Sequence, residues 1–452
     1  MRRAATAKYR LGLARRRRRG PHFTQRGVAL IAVALAISVI TVLTTEFSTN
    51  MTTGHVAAAN HRDNMRADFL AQSAMEVAEV LLRAQAELGG AADAQGQEGM
   101  NPMSMLGAGD ITEFSPMIAT AIGGSREESA ALASTVGLPV EPDDLRGIGL
   151  EAGRFSLDIQ SDDGKINLNC ANGSDQTRQN LFAQLQALFY FEAYDPVFRT
   201  RSADGWTRTR EEQAAAMIDY VDTNQTRFGE RGVPQQYGYE ELGYEAKNHY
   251  VDTTRELRLV RGVDERFWTL FGDYFTIYGD CAINLREVSS PRVIAAIILL
   301  AADDDDHPAL SDEQELWELA QTVLETQQLM GQVGFDSVDA FAALVEDPEG
   351  GLESVIAQQF GEELGAEGLG APGAEGGPGS VQGVTLDREK LGEIVSAGER
   401  QTYRVTATAE LGEDEAVRIE RRVEGVWDTE TRNQNMRDPA YRQGSWVFWR
   451  EE

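Results

Sequence analysis

The amino-acid sequence predicts an α+β fold, in which a long N-terminal transmembrane helix packs on a small antiparallel sheet and a large helical domain is inserted. Three observations support this fold. Residues 28–45 form an uncharged apolar run, and apolar residues continue at helical spacing as far as Leu88. Apolar and polar residues alternate at 154–160 and again at 403–427, as they do in half-buried strands. Between these segments, residues 175–280 have mostly helical patterns.

The N-terminal helix is the clearest of these elements. Residues 1–27 hold ten Lys or Arg and no acidic residue, and the uncharged residues 28–45 make a helix of roughly 27 Å, enough to cross a bilayer core. The basic leader then stays cytoplasmic by the positive-inside rule, so the body lies in the periplasm of a Gram-negative cell. No proline interrupts residues 28–88, and Gly89-Gly90 predicts the end of the helix.

Two simpler kinds of N-terminal segment compete with this interpretation. A cleaved signal peptide needs a small-x-small site after the apolar run, and Thr44–Asn50 offers no good one. A generic signal anchor has the same basic and apolar parts, so these residues alone leave it open.

The charge of the body limits its partners. Beyond residue 27 the chain holds 32 Lys or Arg against 72 Asp or Glu. Such an acidic body repels nucleic acid and anionic lipid, and it suits a domain that binds cations or basic partners. Simple solubility explains most of these acids equally well.

The composition divides the chain into eight parts. They are the basic leader 1–27, the N-terminal helix 28–88 with its transmembrane part 28–45, a loop and weakly helical segment 89–150, a strand region 151–174, a helical insert 175–280, a strand with helices 281–360, a Gly/Ala/Glu-rich linker 361–395, and a C-terminal hairpin with a further strand 396–452.

The strand region predicts a local hairpin. Residues 154–160 alternate as a strand, Asp162-Asp163-Gly164 has the composition of a tight turn, and residues 165–170 continue as a second strand.

One short sequence occurs twice. Ile-Asn-Leu stands at 166–168 and again at 283–285, which suggests two similar strands in one sheet. The two cysteines of the chain, Cys170 and Cys281, follow the first copy and precede the second. In a periplasmic body they could form one disulfide, and two unpaired buried thiols are the alternative. No Cys-x-x-Cys occurs, which argues against a thiolate zinc site.

Residues 257–270 resemble a helix-hairpin-helix, with Gly262 at the tight turn. That motif often binds DNA phosphates, but the acidic body favours a packing module. A weak basic stripe runs through the segment, at Arg255, Arg258, Arg261 and Arg266.

The N-terminus resembles that of type IV pilins and pseudopilins, in which Arg-Gly directly precedes the apolar helix. The resemblance implies that a prepilin peptidase cuts after Gly27 and methylates the new N-terminus at Val28. Major pilins carry Glu at the fifth mature residue, where it pairs with the N-terminal amine of a neighbouring subunit. Here that position is Ala32, a feature typical of the K-type minor pseudopilin.

The body resembles the general secretion pathway protein K family of type II secretion systems along nearly its whole length. The similar segments are, in order, Asp163–Asn169, Met217–Asp222, Glu256–Val263, Ala282–Leu285 and Pro291–Ala296. The resemblance implies a pilin-like helix and sheet with the helical domain inserted. The segment after Asp222 departs from the family, since Thr223–Glu230 replaces its usual acidic stretch.

The resemblance also implies a role. The family caps the tip of the pseudopilus and helps to initiate its assembly, without catalytic activity. Implied partners are the I-type and J-type minor pseudopilins, the inner-membrane secretion platform, the prepilin peptidase and exported proteins. The implied location is the inner membrane, crossed once.

Some members of this family bind calcium near the segment after Met217–Asp222. Calcium takes six to eight oxygen ligands. Asp219, Asp222, Asn224 and Glu240 would supply some of them, and a solvated acidic loop is the alternative.

Two rival functions remain. A minor pilin of a type IV pilus or DNA-uptake system shares the N-terminus, although Ala32 and the helical insert favour secretion. A membrane-anchored periplasmic enzyme is disfavoured because the chain has no His-Glu-x-x-His, Gly-x-Ser-x-Gly or P-loop motif and its five histidines are scattered.

Overall fold

The computed structural model describes most of the chain in defined segments: 25–95, 115–124, 128–129, 131–132, 153–229, 233–234, 238–304, 306–330, 335, 337–348, 350–351, 381–398, 401–412, 419–432 and 443–452. The leader as far as residue 24, most of the segment 89–150, and the part of the linker at 361–380 therefore lie outside the described residues.

Helices and strands alternate along the chain in an α+β arrangement, as the sequence predicts. The helices are α1 Gln25–Gln95, α2 Ser115–Gly123, α3 Asp175–Leu188, α4 Asp195–Arg199, α5 Arg210–Val221, α6 Glu265–Phe271, α7 Pro291–Ala301, α8 Pro308–Ser311, α9 Glu313–Met330, α10 Val338–Glu346 and α11 Arg388–Ile394. The strands are β1 Arg154–Ser161, β2 Ile166–Asn167, β3 Phe275–Thr276, β4 Ile283–Asn284, β5 Val395–Ser396, β6 Thr402–Leu411, β7 Ile419–Arg432 and β8 Gln443–Glu451.

The chain divides into two compact units within helix α1. The first unit ends at Arg66 and the second begins at Ala67. Within the described residues, Gly27–Gln85 is the one helical stretch long and apolar enough to cross a membrane. The expected helix end at Gly89-Gly90 is wrong, because α1 continues to Gln95. Each glycine costs only about 1 kcal/mol relative to alanine inside a helix, and three of the next four residues are alanines.

The second unit contains a four-stranded antiparallel sheet in the order β1-β6-β7-β8. Residues of α1 at helical spacing bury one face of this sheet: Ala71, Ala74, Met75, Ala78 and Leu82. The strands contribute alternate residues to the same core, namely Phe155, Leu157, Ile159, Tyr403, Val405, Ala407, Ala409, Val423 and Trp427. Period-two alternation along β1, β6 and β7 therefore gives the sheet one apolar face, and α1 covers it.

A larger hydrophobic core belongs to the helical domain, which the chain forms between β1 and β6. Its centre is a group of interlocking rings, in which Phe189 contacts Phe267 and Phe271 at centroid distances of 5.5 and 4.9 Å. All three phenylalanines are completely buried. Edge-to-face packing of this kind adds about 0.5–1.5 kcal/mol per pair to the burial of the rings.

The expected hairpin at 154–170 does not form. Strand β1 pairs with β6 instead, with Arg154 opposite Glu410 and Ser161 opposite Tyr403. The turn-like residues Asp162-Asp163-Gly164 lead from the sheet into the helical domain. Buried polar contacts, rather than exposure at a hairpin tip, account for the acids at this position.

The two Ile-Asn-Leu segments lie in different sheets, so the expectation of one shared sheet is also wrong. Strand β2 pairs in parallel with β3, and β4 pairs in parallel with β5. Each strand stops after two residues because an asparagine side chain accepts the N–H two residues further on: Asn167 from Asn169 at 3.0 Å, and Asn284 from Arg286 at 3.2 Å. This local bond turns the chain into a 3₁₀ helix.

Candidate functional site

The proposed processing site lies at the start of α1. Gly27, Val28 and Ala32 are all helical and exposed, and Val28 keeps 57% of its surface exposed. An apolar residue at the position of Ala32 removes the charge that would otherwise enter the bilayer. The cleavage itself stays a prediction.

Residues Leu168–Asn172 form a short 3₁₀ turn that ties several segments of the helical domain together. Asn169 accepts the N–H of Val251 at 2.9 Å and donates to the carbonyl oxygens of Val251 and Ile277, each at 3.0 Å. One half-buried asparagine thus fixes two loops that are distant in sequence.

The same turn carries a disulfide. Cys170 and Cys281 are joined with an S–S distance of 2.06 Å and a Cα–Cα distance of 5.7 Å. The bond spans 111 residues, so it closes the two ends of the helical segment onto each other. The structure thereby selects the bonded alternative over two free thiols.

The structure brings three of the four candidate calcium residues to the C-terminal end of α5. Asp222 caps this helix with no surface exposed, and Asp219 is 3% exposed one turn earlier. Asn224 Nδ2 donates to Asp222, and Asp219 Oδ1 accepts the N–H of Phe228 at 2.7 Å.

Glu240, the fourth candidate, is an exposed residue on a separate 3₁₀ turn, Glu240–Leu242. Among the described residues, no group of three or more His, Cys, Asp or Glu side chains is arranged to hold a metal ion. The acidic residues by themselves therefore supply too few oxygens for calcium.

Sequence reasoning missed two asparagines at the same helix end. Asn172 Nδ2 donates to the carbonyl oxygen of Val221 at 3.0 Å. The backbone N–H of Asn248 donates to the carbonyl oxygen of Tyr220 at 2.9 Å. The side-chain oxygens of both asparagines are buried and have no hydrogen-bond donor within the described residues. Both asparagines thus contact the last turn of α5, which also carries the buried carboxylates of Asp219 and Asp222. The Asn172-Gly173 dipeptide was the available sequence signal, and it does not imply these contacts.

The helix-hairpin-helix-like segment is packed inwards. Gly262 has φ of 84°, its N–H donates to Asp204 Oδ2 at 3.0 Å, and its carbonyl oxygen accepts from Arg208 at 2.7 Å. Burial lowers the pKa of Arg208. The backbone N–H that such a hairpin would offer to a phosphate is thus used by an internal carboxylate, which supports the packing role.

The basic stripe is largely neutralised. Three of its four arginines form ion pairs: Arg255 with Glu452, Arg258 with Glu265, and Arg266 with Asp264.

Two consecutive acids hold the junction between the sheet and the helical domain. Asp162 is completely buried and pairs with Lys165 at 2.7 Å and with Arg404 at 2.6 Å. Burial alone raises the pKa of Asp162, but these two cations outweigh it and hold the pKa below its usual value. Asp163 accepts the N–H groups of Gln401 and Thr402, and burial raises its pKa.

Comparison with known proteins agrees with this arrangement. Residues 164–280 match the family model for the type II secretion system protein K, first domain. The match begins directly after Asp163 and ends directly before Cys281, so it covers the chain between the junction acids and the second cysteine.

A solved structure is also similar: a chain in the crystal structure of the GspK-GspI-GspJ complex from the enterotoxigenic Escherichia coli type 2 secretion system. The identity is 13% and the TM-score 0.39, over 72% of this chain and 93% of that chain. No curated protein sequence matches. Residues 164–280 of this chain are therefore similar to the first domain of the type II secretion system protein K.

Proposed function

We propose that this minor pseudopilin caps the tip of the pseudopilus and helps to initiate its assembly. The observation that carries the proposal is the insertion of the whole helical domain between β1 and β6, two paired strands of a small sheet. A pilin-type subunit enlarged in this way is too bulky to have another subunit added above it. Ala32 supports the same position, because a tip subunit has no earlier subunit whose N-terminal amine it must meet.

The proposed partners follow from the family. I-type and J-type minor pseudopilins would associate through the N-terminal helices, and the similar solved structure is a complex of GspK with GspI and GspJ. The prepilin peptidase would process the chain after Gly27. The inner-membrane platform and exported proteins complete the set of partners.

The proposed topology is a single span with a cytoplasmic N-terminus and a periplasmic body. The ten basic residues before the apolar helix support this orientation. The Cys170–Cys281 disulfide supports it independently, since such bonds persist in the oxidising periplasm.

The family match favours secretion over a pilus or DNA-uptake role, and the use of the Gly262 N–H by Asp204 argues against phosphate binding at the hairpin. The protein K family is a structural component of the secretion machinery, which disfavours an enzyme.

Restoring the missing glutamate tests tip capping. In cells that assemble pseudopili with this chain, immunogold labelling should mark one end of each filament, and excess chain should shorten the filaments. Ala32→Glu should let the chain enter the shaft, so that label spreads along the filament and the shortening is relieved. Ala34→Glu adds the same charge out of register and should not enter the shaft. Label along the shaft with the unaltered chain would contradict the proposal.

We also propose that the body binds calcium at the C-terminal end of α5. Asp219, Asp222 and Asn224 would hold the ion, with Glu240 as the further residue that the family resemblance implies. When bound, calcium would fix this helix end to the loops around it, and its role would be structural. Two buried carboxylates at a helix C-terminus support the proposal, because the helix dipole there favours a cation.

A further inference from the structure

Strand β8 forms one edge of the four-stranded sheet, and its outer side has no pairing strand within the described residues. At the opposite edge, helix α2 packs against β1: Ala119 joins the core on that face of the sheet, and Gly123 lies directly against the ring of Phe155. Exposed edges readily pair with extended segments of other chains, so proteins usually cover them or block them. An open edge of nine residues therefore needs an explanation.

The pairing of β8 with β7 shows which backbone groups point outwards. Arg422 and Glu452 exchange both of their backbone hydrogen bonds, at 3.2 and 2.8 Å, so they are a hydrogen-bonded pair. Hydrogen-bonded and non-hydrogen-bonded pairs alternate along an antiparallel ladder, and the register is regular over this stretch. The N–H and C=O groups of Trp449 and Glu451 therefore point away from β7.

The side chains at this edge are apolar and accessible. Val447 and Trp449 keep 43% and 41% of their surfaces exposed. The ring of Trp449 contacts that of Trp446 at a centroid distance of 5.4 Å, and Trp446 contacts the buried Trp427 at 5.1 Å. Three indoles thus connect the core to the edge and fix the outermost ring in place. A rigidly held, partly exposed tryptophan is typical of the residues that dominate binding energy at protein interfaces.

Two carboxylates on the same side of the sheet have no cationic partner within the part of the chain that the structure describes. Glu451 accepts the side-chain N–H of Gln72 at 3.3 Å and the indole N–H of Trp449 at 3.1 Å, and both donors are neutral. Glu76 lies one turn after Gln72 on α1 and is exposed. An indole ring next to a carboxylate favours a Lys or Arg side chain, which can bind both.

We propose that the outer side of β8 pairs with an extended segment of a partner protein in which Lys or Arg alternates with apolar residues. The outward backbone groups of Trp449 and Glu451 would form the strand pairing, and their side chains would bind a basic residue. A second copy of this chain is a poor occupant, because 32 Lys or Arg against 72 Asp or Glu beyond residue 27 make two copies repel. The inference is independent of tip capping, since all these residues lie in the second unit.

Fluorescence anisotropy of a labelled nine-residue peptide in which lysine and valine alternate tests the inference, with the full chain in detergent at about 0.15 M salt. The peptide should bind saturably. A block peptide of the same composition, with all lysines before all valines, should bind at least tenfold more weakly. It controls for general attraction to an acidic surface.

Variants of one residue separate the backbone from the side chain. Glu451→Pro removes the outward N–H together with the carboxylate but breaks no bond to β7, and proline is tolerated at such edge positions. We expect it to weaken binding at least tenfold. Glu451→Ala loses the same carboxylate, keeps the N–H and should weaken binding only about threefold. Val447→Lys, at an exposed position, should also weaken binding, because it places a cation on the edge that the basic peptide must approach. Asp158→Asn, on the opposite edge strand, is the matched control and should bind as the unaltered chain does.

Three results would overturn the inference. The first is equal binding of the alternating and block peptides, or no binding of either. The second is binding by Glu451→Pro that is no weaker than binding by Glu451→Ala; if Glu451→Pro does not fold, unchanged binding by Val447→Lys counts in the same way. The third is sedimentation of the unaltered chain as a dimer that Val447→Lys disrupts, which would assign the edge to a second copy.

Discussion

Asp162 shows how one residue can join two parts of this fold. Its carboxylate lies where the sheet passes into the helical domain, and it contacts Lys165, Thr276 and Arg404 from three different segments. Lys165 and Arg404 keep the pKa of Asp162 low in the folded chain. At pH values above the pKa of the unfolded aspartate, the ionised Asp162 therefore stabilises the fold. That contribution is lost as the pH falls through the folded pKa.

Replacing this carboxylate should therefore destabilise the chain in a pH-dependent way. Asp162→Asn should lower the free energy of unfolding at pH 7 by about 1–3 kcal/mol, since Lys165 and Arg404 lose a buried charged partner while Arg404 keeps Glu424. The difference from the unaltered chain should be smaller at pH 3, which lies below the ordinary pKa of aspartate, because a fall in pH toward the depressed folded pKa removes this stabilisation. Urea denaturation at the two pH values measures both effects.

Asp158 provides the control for this measurement. It lies on β1, just before Asp162 in the chain, but is exposed, so Asp158→Asn should change the free energy of unfolding by no more than about 0.5 kcal/mol. An equal loss at pH 3 and pH 7 for Asp162→Asn would mean that the charge of Asp162 is not what stabilises the junction.

At the scale of elements, the 168–172 turn is where local and distant contacts meet. Asn167 ends β2 after two residues and starts the turn, and Asn169 and Cys170 then connect the turn to loops about 80 and 110 residues away. These bonds satisfy buried backbone groups that a longer strand would have paired.

Breaking the disulfide should weaken the helical domain. In the chain-entropy model, a bond that spans 111 residues restricts the unfolded chain strongly, so reduction with dithiothreitol should lower the free energy of unfolding by about 2–5 kcal/mol. Urea denaturation with and without the reductant measures the loss. The Cys170→Ala, Cys281→Ala double variant should show no response to dithiothreitol. An unchanged midpoint on reduction of the unaltered chain would contradict this account.

The alternation in the sequence was sufficient to predict the long strands, because β1, β6 and β7 each bury one face. It was not sufficient for the short ones. The residues at 165–170 alternate as a strand does, but Asn167 bonds to its own backbone and stops the strand, a competition that alternation does not reveal. The contacts of Asn172 and Asn248 with α5 were not predictable for a related reason, because both residues reach that helix through tertiary contacts.

At the scale of the whole molecule, the decisive feature is the pairing of β1 with β6 across the inserted domain. No local pattern predicts this partner, and the turn-like Asp162-Asp163-Gly164 favours a nearer one. Only the order of the family's motifs indicated that a domain intervenes. The N-terminal helix, in contrast, follows directly from composition, since an uncharged run after a basic leader has few alternative structures.

The measurement that tests the central claim most directly is the intact mass of the membrane-extracted chain, with and without a co-expressed prepilin peptidase. A pseudopilin of this family should lose residues 1–27 only when the peptidase is present, leaving a chain that begins at N-methylated Val28. The uncut chain should be recovered in its absence. A chain that remains uncut with the peptidase, or that is cut beyond Thr45, would contradict the account and return the N-terminus to an ordinary anchor or signal peptide.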